Sequence, residues 1–130
     1  MRYQDYTFKV PEEKIVRLIT DTDAKNEADD DFAVVQALLS PKIDNVGLVA
    51  AHYGTKRDAD SMERSYRELE TVVDKMGFTG QIPICHGAPH ALTDTSTPVD
   101  SEGARLIIEE AMKQDDSPLY AIFLGPLTDI

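Results

Sequence analysis

Six carboxylates, Asp21, Asp23, Glu27, Asp29, Asp30 and Asp31, fall within one short stretch, ITDTDAKNEADDDFA from Ile19 to Ala33. Gathered in a single folded loop they would repel one another, and a bound cation relieves that repulsion. An all-oxygen donor set suits a hard ion, Ca²⁺ or Mg²⁺. A plainer role is also open, because acids are favoured near a helix N-terminus and any of Asp29 to Asp31 can serve as a cap. Capping accounts for one or two of these residues and leaves Asp21 and Asp23 unexplained. The spacing does not make an EF-hand. A calcium loop beginning at Asp21 needs Gly at its sixth position and Glu at its twelfth, and Asn26 and Phe32 stand there.

The elements that must hold these residues are legible in the hydrophobic pattern. Ile15 to Thr20 (IVRLIT) is short, apolar and β-branched, and predicts a strand. Phe32, Val35 and Leu39 fall at helical spacing and Pro41 closes that helix. Val46 to Ala51 predicts a second strand, and Met62, Tyr66, Leu69, Val73 and Met76 a helical stripe ending at Gly77. Ile82 to Cys85 reads as a third strand. Ala104, Ile107, Ile108, Ala111 and Met112 read as another helix, capped by Asp100 or Ser101, and Leu119 to Leu124 as a fourth strand. The order is β-α-β-α-β-α-β. Strands apolar on both faces, alternating with amphipathic helices, predict an α/β fold: an open, mostly parallel, Rossmann-like sheet with helices on both faces. Asp21 and Asp23 then lie at the carboxyl end of the first strand, where ligands bind in such sheets. Residues 1–130 read as a single α/β domain. GPLTDI begins a turn into a further helix, so we expect the N-terminal part of a longer domain.

Charge narrows the partners. Twenty-four acids against thirteen bases give a formal net charge of −11, which repels nucleic acid and anionic lipid. Cys85 is the only cysteine, so an internal disulfide and a thiolate metal cage are excluded, and a buried, inert thiol beside a strand is expected. No stretch has the apolar length of a signal core or a membrane span, which makes the cytoplasm the default.

The run D-T-D followed by D-D at a helix start resembles the nucleoside hydrolase signature, commonly D-x-D-P-G-x-D-D-A. VGLVAAHYG is similar to that family's second strand and following loop, GAPHAL to its G-A-x-x-x-L turn, and LYAIFLGPLTDI to its strand running into G-P-L-T-N. The likeness runs from Ile15 to the last residue and covers less than half of a typical member. It implies a Ca²⁺-dependent hydrolase that cleaves the N-glycosidic bond of nucleosides. Asp23 would be a metal ligand and the base that activates water, Asp30 a metal ligand, Asp29 a ribose ligand and Asp21 a support behind them. The main-chain carbonyl of Leu124 would be a further ligand, and His52 stands where the family has a ribose-contacting Asn.

Two departures accompany the likeness. The loop from Asp23 to Asp29 is two residues longer than the pattern, with AKNEA in place of Pro-Gly. The family's leaving-group acid and remaining metal aspartate fall in its later part, so we expect the 130 residues alone to have little or no activity. An uncovered strand would also favour homo-oligomers. Two other readings compete. D-x-D after an apolar strand also resembles the nucleophile loop of haloacid-dehalogenase-type phosphatases, with Asp21 as nucleophile and Mg²⁺ as cofactor. That family, however, carries Thr or Val where this chain has Lys25. The other is a non-catalytic acidic module that binds a cation or a partner protein.

Overall fold

The computed structural model describes all 130 residues. Four strands, β1 (Val16–Thr22), β2 (Ile43–Ala50), β3 (Ile84–His86) and β4 (Leu119–Phe123), alternate with three helices, α1 (Asp29–Leu39), α2 (Ser61–Lys75) and α3 (Glu102–Ala111). All strand pairs are parallel, in the order β3-β2-β1-β4. This is the open parallel Rossmann-like sheet expected. The boundaries move by a few residues: β1 runs on through Asp21 and Thr22, β2 starts earlier, and β3 is displaced to Ile84–His86.

The strand order explains where the helices lie. The chain steps one way across the sheet through α1 and α2, then reverses past β1 to place β4. Right-handed crossovers therefore put α3 on the opposite face. Leu48 and Ala50 of β2 pack with Val34, Leu38, Leu69 and Val73 of α1 and α2 in the main core. Gly47 and Val49 point the other way. A Cβ on Gly47 would collide with the Leu106 side chain, and one on Gly103 with Val49, so α3 rests close against the sheet through two missing side chains. Beneath α3, Arg17 of β1 is buried with Glu110, its Nη1 3.2 Å from Oε2, and also donates to the Glu110 carbonyl. Enclosing two charges together keeps either from being stranded in the core.

Two apolar stripes differ from expectation. On α1 the buried positions are Asp30, Val34, Ala37 and Leu38, and Phe32 is 76% exposed. On α3 the sheet side is Gly103, Leu106 and Glu110, and Ile108 and Met112 face out. Both helices carry apolar residues on more than one side, so periodicity alone does not select the buried face. Ser101 caps α3 as expected, accepting from the Ala104 N–H at 2.9 Å. Cys85 lies in β3, half-buried.

β4 pairs only with β1 and leaves its other edge open. Its Tyr120 and Ile122, with Val16 and Leu18 of β1, line an apolar groove of about 470 Å³ against α1. No helix is long and apolar enough to cross a membrane.

Candidate functional site

In an open parallel sheet the place where strand order reverses leaves a crevice at the carboxyl ends of the two strands flanking the reversal. Here those strands are β1 and β4. The crevice holds a cleft of about 290 Å³ lined by Asp23, Asn26, Glu27, Asp29, Asp30, Leu124 and Gly125. It is smaller than the apolar groove described above, and it is singled out by its chemistry, since only one of its seven lining residues is hydrophobic. Asp23, Asp29, Asp30 and Leu124, picked out in the sequence, therefore come together, joined by Asn26, Glu27 and Gly125.

Each is held for a local reason. Asp23 follows β1 directly, and its carbonyl accepts from the Asn26 N–H at 2.7 Å, turning the chain toward α1. Ala28 stands at the cap position just before α1, and no side chain caps the helix. Asp29, Asp30 and Asp31 fill the first helical turn instead, where the helix dipole favours negative charge. The longer loop is pinned from outside, by Lys25 Nζ on Glu68 at 2.6 Å and Arg57 Nη2 on the Asn26 side-chain oxygen at 3.2 Å. Both cations are thereby turned to other partners. Gly125 lies so close to Asp23 that a Cβ there would stand 2.6 Å from the Asp23 Oδ1.

The electrostatics are unrelieved. Asp21 is wholly buried and neither carboxylate oxygen has a hydrogen-bond partner. Burial, and then the charges of Asp129 and Asp23, push its pKa up to about 8. Burial, followed by the charges of Asp23 and Asp29, raises Asp30 to about 6. Unpaired buried carboxylates are costly, and at a strand terminus they are a mark of a functional site.

His52 is 4% exposed, and both ring nitrogens are spent on the protein. Nδ1 accepts from the Gly54 N–H at 3.0 Å, which leaves Nε2 to donate to the Thr128 hydroxyl at 2.9 Å. Burial lowers its pKa and favours that neutral form. His52 thus braces the loop after β2 against the end of the chain.

Two residues next to the cleft were not singled out in the sequence, Thr128 and Asp129. Both are buried, and Asp129 Oδ1 accepts from the Ala88 N–H at 2.8 Å and from the Ser101 hydroxyl at 2.5 Å. The available signal was the position of GPLTDI just past a strand, at the level of the acidic loop.

The cleft is lined by four carboxylates, Asp23, Glu27, Asp29 and Asp30, and by the Asn26 amide, oxygen donors of the kind a hard cation takes. No group of three or more His, Cys, Asp or Glu side chains is arranged to hold a metal ion. Compared with known proteins, the chain matches no family model and no curated relative.

Proposed function

We propose that the cleft between β1 and β4 is the sugar- and cation-binding part of a hydrolase site that cleaves the N-glycosidic bond of nucleosides. The observation that carries this is the placement of Asp23 and Asp30 at the point where strand order reverses, with the enclosed carboxyl of Asp21 behind them.

Asp23 and Asp30, with the Leu124 carbonyl, would hold the cation, Ca²⁺ in preference to Mg²⁺ because the set is irregular and rich in carboxylate. Side chains alone would not complete a shell, and ribose hydroxyls and water would be left to supply the remaining oxygens. Bound there, Ca²⁺ would add positive charge that orients the sugar hydroxyls and eases deprotonation of water. Asp29, in the first turn of α1 and lining the cleft, accepts from ribose hydroxyls. Asp23 takes the proton of the attacking water as its oxygen bonds to the anomeric carbon. The bond from that carbon to the base nitrogen breaks, and the base leaves with the electron pair. Positive charge builds on the ribose ring during this exchange, and the carboxylates lining the cleft stabilise it.

The phosphatase reading needs Asp21 as an accessible nucleophile, and its enclosure weighs against that. The test is calorimetric titration of the protein with Ca²⁺ and Mg²⁺, beside Asp23→Asn/Asp30→Asn. Ca²⁺ binding that disappears in the double variant supports the reading. Unchanged binding in the variant, or a preference for Mg²⁺, counts against it.

A further inference from the structure

The segment after β4 is tied to the loops after β2 and β3 by two adjacent side chains. Thr128 accepts the His52 Nε2–H from the loop after β2. Asp129 receives the Ala88 N–H from the loop after β3 and the Ser101 hydroxyl from the start of α3. Ser101 is shared, since the same oxygen accepts the Ala104 N–H that opens the helix. All four side chains are less than a tenth exposed. At the other end of the segment, the Leu124 N–H donates to the Asp21 carbonyl at 2.9 Å, and Gly125 rests against the Asp23 carboxylate.

From these contacts we infer that Asp129 is a positioning residue, whose Oδ1 sets the height of the Leu124–Gly125 segment against Asp23. The inference rests on the cation-site reading above and adds to it a residue that does not line the cleft. The geometry leaves the segment little freedom. It is held at its start by the sheet ladder and at its end by the Asp129 clasp, with Asp23 packed against the span between. Releasing the clasp frees the Leu124 carbonyl and Gly125 to move away from Asp23. What matters is the accepting Oδ1. The second oxygen has no partner and stands 2.7 Å from where a Cβ on Gly87 would be. An asparagine keeps the acceptor and replaces the unpartnered oxygen with an amide.

The experiment compares wild type, Asp129→Ala, Asp129→Asn and Asp23→Asn by calorimetric titration with Ca²⁺, and by hydrogen exchange at the Leu124 amide without metal. Folding of each variant is checked by its urea midpoint. Supporting residues around a metal set its affinity by about 10- to 100-fold. We therefore expect Asp129→Ala to weaken Ca²⁺ binding by about 10-fold or more and to speed exchange at the Leu124 amide. Asp129→Asn should keep affinity within about 3-fold of wild type, with slow exchange, because its oxygen still accepts both hydrogen bonds. A folded Asp129→Ala protein with wild-type affinity and exchange overturns the positioning role. So does an Asp129→Asn protein as impaired as the alanine variant, which would place the effect in the charge. If wild type binds no Ca²⁺, or Asp23→Asn binds it unchanged, the cation-site reading fails. The exchange rates then decide the role of Asp129 by themselves.

Discussion

Asp21 is where pH should act most strongly on this fold. Its carboxyl is wholly enclosed and without partners, and burial together with Asp129 and Asp23 pushes its pKa up to about 8. In the unfolded chain the same group titrates near about 3.9. Between these values the folded protein keeps a proton that the unfolded chain has released. Stability therefore falls as pH rises through the window, by about 1.4 kcal/mol per pH unit. Integrated to neutral pH the loss is about 4 kcal/mol, a large part of the roughly 5–15 kcal/mol that holds a domain together. Asp21→Asn places a neutral group of the same shape there and removes the titration. Burying its amide offsets the whole curve and leaves the slope alone. The assay is urea unfolding in EDTA across about pH 5 to 7.5, where the wild-type midpoint should fall steeply and that of Asp21→Asn much less. Asp30, raised to about 6, contributes a smaller slope common to both proteins. Parallel curves with equal slopes would refute the reasoning, since they would show that Asp21 is already ionised in the folded state.

Other substitutions probe other parts of the structure. Gly125→Ala forces a methyl group against the Asp23 carboxylate and should cost about 1–3 kcal/mol along with Ca²⁺ affinity, read by urea midpoint and titration. Glu110→Ala removes one of the two carboxylates beside the buried Arg17, leaving Asp115 at 3.5 Å, and should destabilise by about 1.5–3 kcal/mol by urea midpoint, whereas a loss under about 0.5 kcal/mol would mean Asp115 alone holds the guanidinium. Burial raises the Cys85 thiol, so a disulfide reagent at neutral pH should modify it slowly in the native protein and fast in urea. Equal rates would show that the thiol is open to solvent in the fold.

The order of elements, the parallel sheet and the gathering of Asp23, Asp29 and Asp30 could be read from sequence, because each rests on local pattern. Runs such as IVRLIT and VGLVAA, short and bounded by turn residues, read as buried strands, and acids just past one then sit at its carboxyl end. The faces of α1 and α3 could not be read so easily. Phe32 and Ile108 look like core residues until the sheet is in place, and then Asp30 and Glu110 occupy the inward side. Thr128 and Asp129 escaped notice for a different reason. Their partners His52, Ala88 and Ser101 lie between 28 and 76 residues away, and no periodicity reports a contact of that range.

The two glycine contacts under α3 carry a consequence for the start of that helix. Gly47 and Gly103 let the helix settle onto β2, and Ser101 stands two residues before Gly103, at the point where the helix meets Asp129. The absent methyl groups act as a spacer of zero thickness, and that spacing decides whether the hydroxyl of Ser101 meets its carboxylate. An alanine at position 103 would jack up the helix like a shim under a bearing. Its effect would then surface at the acidic cleft, in residues that the substitution never touches.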